Sequence, residues 1–177
     1  MQFFNRQMQK ILLKIDNKIW SPRSVQTVNQ KEALEYCNDL TECGYDDWYL
    51  PNIDELRTLI KNCPETETGG SCNISDVNNC LSFSTCFTDS DCFSCSTTGN
   101  YSKLGDGNIF LWSTSLQSDD PDKAWGVLFQ TGWVSILDKN KNEYFSYVRC
   151  VRNAEGRYYF SSSNALLNDE YLLYFSG

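Results

Sequence analysis

The 177-residue sequence predicts an α+β domain, and three observations carry that reading. Two stretches with helical apolar spacing and polar starts lie in the first third. The last third alternates apolar and polar residues at the period of a strand. Between them, six of the nine cysteines crowd into residues 63–95, where neither period is visible. Helices set ahead of strands in the chain point to α+β rather than alternating α/β architecture. With 41% hydrophobic residues, five Trp, ten Tyr and ten Phe, the chain has far too many core-forming side chains for a disordered one. At this length a single domain with a sizeable core is expected.

The elements follow in chain order. "KILLKI" (10–15) and "KIW" (18–20) read as two short strands around Asp16-Asn17. A first helix is predicted over 29–40, where Asn29 serves as its cap and Glu32, three residues on, completes a box-like start. Ala33, Cys37 and Leu40 fall at i, i+4 and i+7, which turns Cys37 to the core. The stretch "DDWYLPNIDELRTLI" (46–60) holds the second entrance. Pro51 disfavours a helical Leu50, Asn52 caps, and Glu55 follows three residues later. Ile53, Leu56, Leu59 and Ile60 then form one apolar face. Trp48 and Leu50 alternate with Tyr49 as in an extended segment lying on a core. An extended anchor therefore hands over to a buried helix within two residues.

From Asn62 to about Gly107 the chain is rich in Cys, Ser, Thr, Asn and Gly. A loop this long needs staples to stay inside a compact domain. Strands are expected at "IFLWSTS" (109–115), "KAWGVLFQ" (123–130), "GWVSIL" (132–137) and "YFSYVRCVR" (144–152), with "DKNKNE" (138–143) as a polar hairpin turn. Val148 and Cys150 share one face of the last strand, with Arg149 on the other. The domain is placed at 1–153, with a Cys-rich loop insert at about 62–107. Residues 154–177 form a tail to which the sequence assigns no role.

The net charge of -8 argues against nucleic acid and against a polybasic membrane surface. No stretch approaches the roughly 20 apolar residues of a membrane span. Nine cysteines with no histidine read as a disulfide framework, and so as an extracellular or cell-surface protein. The sequence alone does not pair Cys37, Cys43, Cys63, Cys72, Cys80, Cys86, Cys92, Cys95 and Cys150. Their odd number leaves one thiol either free or bonded to another chain. The start "MQFFNRQMQKILLKIDNKIW" offers no convincing signal peptide, so the chain is expected to be a piece of a longer exported protein or to carry a misplaced start.

Taken together, "ALEYCNDL", "DDWYLPNIDELRTLI", "LWSTS", "KAWGVLF" and "YVRCVR" resemble the bacterial DUF1566 family, also called the Lcl C-terminal domain family after a collagen-like adhesin. Its pattern is a helix with A-x-x-x-C, then W-R-L-P-T-x-x-E-L, W-S-S-[ST], an A-W-x-V-x-F strand and a closing V-R-C-V-R. Five pieces in the right order over roughly 16–152 make the resemblance specific. Tyr49 stands where Arg is usual and Asn52 where Thr is usual; either Asn or Thr caps a helix. The resemblance implies a C-type-lectin-like fold. In it, two helices flank a mostly antiparallel sheet, the termini come together, and a long loop region is stapled by disulfides. It further implies a bridge from the first helix to the last strand, at Cys37 and Cys150.

Three chemistries bear on these residues. Cys86, Cys92 and Cys95, with Cys80 or Cys72, hold one close C-x-x-C pair, whereas structural zinc usually shows two. Disulfides are therefore expected and no metal site is assigned. For calcium, the E-P-N or Q-P-D and W-N-D motifs of sugar-binding C-type lectins are missing. The acidic clusters Asp89/Asp91, Asp106/Asn108 and Asp119/Asp120/Asp122 leave only an unassigned calcium site, and no cofactor is expected. Catalysis lacks a histidine base, and no activating neighbour is visible for Cys92 or Cys95. A divergent enzyme related to the formylglycine-generating enzymes, whose fold is related, ranks last.

The expectation is thus a non-catalytic exported binding or adhesion module for a surface glycan or protein. Its ligand surface is expected in loops 98–108 and 113–123, with Trp112, Ser115, Gln117, Asp119, Asp120 and Asp122 as the candidate ligand residues. Trp112, Trp125 and Trp133 read first as core or sheet face and second as a stacking platform. The alternative function is a stapled component of a cell-envelope or fimbrial assembly with no small ligand.

Overall fold

The structure is a computed structural model, and it describes residues 11–95, 99–142, 145–154 and 171–174. Two four-stranded sheets carry the fold. Strands β1 (Ile11–Ile15) and β2 (Lys18–Trp20) form the expected antiparallel pair, and Asp16 takes a left-handed φ of 53° in the turn between them. A short polar side chain tolerates that conformation. Helix α1 (Gln30–Asp39) starts at Asn29, whose side chain accepts from the Glu32 N–H while the Glu32 carboxylate accepts from the Asn29 N–H. The same reciprocal box starts α2 (Ile53–Arg57), from Asn52 and Glu55. Both predicted caps are therefore present. The second helix is shorter than its apolar face: it ends at Arg57, and Leu59 and Ile60 continue the buried stripe through a turn.

The insert contains two helical turns that the sequence did not announce, α3 (Phe83–Cys86) and α4 (Asp89–Cys92). Strands β3 (Phe110–Leu116), β4 (Lys123–Leu128) and β5 (Trp133–Asp138) follow as expected. The segment 144–152 departs from the single strand predicted for it. It splits into β6 (Ser146–Tyr147) and β7 (Val151–Asn153), which belong to different sheets. Between them the backbone is claimed by the segment after β2. The Ser21 and Ser24 amides donate to the Cys150 and Val148 carbonyls, and the Ser21 and Ser24 hydroxyls accept the Cys150 and Val148 amides. Residues 138–142 are accordingly not part of the predicted hairpin turn, whose last position, 143, lies outside the described residues. Strand β6 pairs in parallel with β3, at the opposite edge from β5.

One sheet runs β7-β2-β1-β8, where β8 is Tyr171–Tyr174; the other runs β5-β4-β3-β6. The single flanked sheet implied by the resemblance is thus two sheets, antiparallel throughout except for the β3–β6 pair. Both faces of the second sheet are covered. Leu111, Trp125 and Val127 pack toward α2 and the insert, while Phe110, Trp112 and Ala124 pack toward α1. Gly126 permits this closeness, since a Cβ there would sit 2.3 Å from the Leu111 carbonyl oxygen and from the Phe110 ring. A strand buried on both faces loses its alternation, which is why β3 shows four buried residues in a row.

Cys37 is bonded to Cys150 across 113 residues, joining α1 to the start of β7. The other three bridges are nested: Cys63–Cys95 encloses Cys72–Cys92, which encloses Cys80–Cys86. Cys43 is the cysteine outside these four bridges. Every sulfur that the zinc reading would need is thereby spent on a bridge. Among the described residues no helix is long and apolar enough to cross a membrane.

Candidate functional site

The sequence motifs are joints between elements. At the α2 entrance the Trp48 indole donates to the Tyr45 carbonyl at 3.1 Å, and the Tyr49 backbone pairs with Val151. The Pro51 carbonyl accepts the Thr114 N–H at 2.8 Å, where β3 leaves its register with β4. Ser115 is buried at the same joint, accepting the Ile53 N–H at 2.8 Å and donating to the Asp76 carboxylate. Ser113 donates to the Trp125 carbonyl at 2.7 Å. In "VRCVR", Arg149 forks onto the Asp106 carboxylate at 2.7 Å and Arg152 forks onto Asp47 at 2.6 and 2.9 Å. The Arg152 hydrogen bonds hold the Asp47 pKa below the ordinary carboxylate range, against a smaller opposing effect of burial.

Tyr49, the departure from the family pattern, faces a polar cluster. Its hydroxyl donates to Glu55 Oε1 at 2.8 Å and accepts from Lys18 Nζ at 2.6 Å. Lys18 also meets Glu55 Oε1 at 2.6 Å. Burial opposes the Lys18 charge, but the bonds to Glu55 and Tyr49 outweigh it and raise the pKa.

The six predicted ligand residues do not form one surface. Trp112 is fully buried, and its indole donates to the Val28 carbonyl at 2.7 Å; it offers no face for stacking. Trp125 is equally buried, and Trp133 is partly covered with its indole bonded to the Cys95 carbonyl. Ser115 is committed to the α2 joint. Gln117 is buried and donates to Asp119 at 2.8 Å, and its Oε1 has no hydrogen-bond partner among the described residues. Asp120 accepts the Asp122 N–H at 3.1 Å, and the Asp122 carboxylate faces the Asn140 amide at 3.5 Å. In loop 98–108, the Lys61 and Tyr101 amides donate to the Tyr101 and Phe129 carbonyls respectively, and Asp106 is paired with Arg149.

Asp119 has a definite task. It is exposed, yet its two oxygens accept the Phe83 and Ser84 N–H groups and the Ser82 and Ser84 hydroxyls, which docks α3 onto the loop. The Ser84 amide, then its hydroxyl and the Phe83 amide, hold its pKa far below the ordinary range. A depressed carboxylate contributes stability above its unfolded pKa and loses it only as pH falls through the folded value. The Phe83 and Ser84 amide resonances are therefore expected to stay unchanged on acidification down to about pH 3, below an ordinary Asp pKa. In Asp119→Asn those amides should exchange with solvent at least several-fold faster; unchanged exchange would show that the contact does not hold α3.

One strand position away, the alternate residues of β3 open onto a groove of about 380 Å³. Thr114 and Leu116 form one wall, Gln30, Lys31 and Leu34 of α1 the other, and Lys139 and Asn140 close the end. The wall positions are fixed from behind: the Gln30 side chain donates to the Ser113 carbonyl at 3.2 Å, and its backbone amide donates to the Lys139 carbonyl at 3.1 Å. None of the six predicted residues lines this groove. Their neighbours Thr114 and Leu116 do, because the side-chain period of a strand turns Ser115, which bonds the α2 entrance, to the opposite face. That alternation was available in the sequence.

The sequence profile of the Lcl C-terminal domain family, DUF1566-like, matches residues 14–152. The chain belongs to the Lcl C-terminal domain family. The match takes in both helices, the Cys-rich insert, the second sheet and most of β7, and leaves β8 outside. Neither the curated proteins nor the solved structures compared with this chain match it. As an Lcl C-terminal domain, the chain keeps its family motifs at the joints between elements. The groove of this Lcl C-terminal domain takes Leu34 and Thr114 from within two of those motifs and its other lining residues from between and beside them.

Proposed function

We propose that this Lcl C-terminal domain is a non-catalytic, exported binding module of C-type-lectin-like type. It works without a cofactor and recognises a surface glycan or protein through the groove between α1 and β3. The observation that carries this reading is the groove itself: a mixed polar and apolar concavity of ligand size, on walls fixed by a helix, a strand and buried hydrogen bonds. Binding residues held on rigid elements lose little freedom when a ligand arrives. Four disulfides in one chain suit an oxidising compartment.

The test is an array of unrelated glycans and surface proteins, probed with the wild-type chain and with Thr114→Trp and Leu116→Arg. Both side chains are exposed, so the fold should persist. A selective ligand whose affinity falls at least tenfold in both variants supports the reading, a change of roughly 1.4 kcal/mol. No preference across the array favours the assembly component instead.

A further inference from the structure

We propose that Lys18 and Asn153 become joined by an amide bond within the folded chain, with Glu55 as the proton carrier. The two residues are register partners on β2 and β7. Lys18 Nζ lies 2.8 Å from Asn153 Oδ1, so the carboxamide carbon is the next atom along. Glu55 Oε1 lies 2.6 Å from the same Nζ, while its Oε2 is held by the Asn52 N–H at 3.1 Å. The Tyr49 ring lies beneath the ammonium, 5.3 Å to its centroid. An amine, a primary carboxamide and a carboxylate are thus assembled on three elements, with the Lys18 and Glu55 side chains 25% and 19% exposed and Asn153 at the exposed rim.

The step balances without a co-reactant. The Lys18 ammonium gives a proton to Glu55 along their contact, and the freed Nζ lone pair attacks Asn153 Cγ. Nζ then gives up a second proton, the Cγ–Nδ2 bond breaks, and Glu55 returns a proton to the departing nitrogen, which leaves as ammonia. Ammonia takes up the remaining proton as ammonium, and Glu55 ends as the carboxylate it began. Nothing is oxidised or reduced. Because the resting lysine is held charged, the reaction is a slow single turnover. It is driven by the high effective concentration that a fixed geometry gives, on the order of 10⁵ M or more. The bond would tie β2 to β7, where Cys37–Cys150 ties α1 to the start of β7, and unlike that bridge it would survive reduction.

The test is the mass of the intact, fully reduced and denatured wild-type chain. The expected result is a deficit of roughly 17 Da, one ammonia, against the sequence. Peptide mapping should place it in a branched peptide joining Lys18 to Asn153, with no tryptic cleavage after Lys18. Lys18→Arg, which keeps the charge, should show the full mass, as should Glu55→Gln. Asn153→Asp, which has no side-chain nitrogen to release, should not show the deficit of roughly 17 Da. A wild-type chain of full mass overturns the proposal. So does a deficit that maps to cyclised Gln2, or one that persists in Lys18→Arg.

Discussion

Replacing Cys37 and Cys150 together by alanine is expected to lower stability by about 4–5 kcal/mol, because their bridge closes 113 residues. For a domain of this size that corresponds to a fall in Tm of roughly 10–18 °C. The comparison that makes this informative is Cys80→Ala with Cys86→Ala. That bridge closes only six residues, so the chain-entropy effect is about 2–2.5 kcal/mol. Both bridges lie within the folded region, and both double variants remove the same chemistry. Urea unfolding of the two, with the other disulfides left intact, reads the difference directly. Equal losses would mean that local packing, not closure of the long loop, sets the value of the Cys37–Cys150 bridge.

How much of this was legible depends on whether an interaction is local in sequence. The capping boxes at Asn29/Glu32 and Asn52/Glu55 were legible because cap and acceptor are three residues apart. The inward face of Cys37 followed from helical spacing, and its pairing with Cys150 from the family resemblance. The two-sheet architecture was not legible. "YFSYVRCVR" alternates like one strand, but the backbone from Val148 to Cys150 is taken by Ser21 and Ser24, more than 120 positions away. Short helices pinned from outside escape a periodicity search for the same reason. α3 has four residues and is held by Asp119 from another loop. The groove sits between these cases: Thr114 and Leu116 flank Ser115 on the opposite face of the strand, and the covered sheet hid which face was open.

Arg57→Met is expected to loosen the insert while leaving the two sheets folded. Arg57 ends α2 and is 4% exposed, yet no carboxylate among the described residues bonds to it. Its guanidinium instead donates to three backbone carbonyls of the insert: Nε to Thr66 at 2.8 Å, Nη1 to Ile74 at 2.6 Å and Nη2 to Glu67 at 2.9 Å. Burial lowers its pKa, against a smaller opposing effect of the Asp54 charge. A planar fork suits three acceptors spread around it, which a lysine ammonium cannot span, so Arg57→Lys should not rescue. Thr66 passes the grip onward, donating its hydroxyl to the Gly132 carbonyl beside β5 at 2.6 Å. Removing the fork strands three acceptors, at roughly 1–2 kcal/mol each, so a loss of about 3–5 kcal/mol is expected. The three nested bridges keep the segment attached, so the loss should appear as local opening. Amide exchange over residues 63–76 should rise by two orders of magnitude or more, roughly the same free energy, while β3 and β4 stay protected. Unchanged exchange in the insert would mean that the disulfides alone hold it, and that the arginine is a passenger.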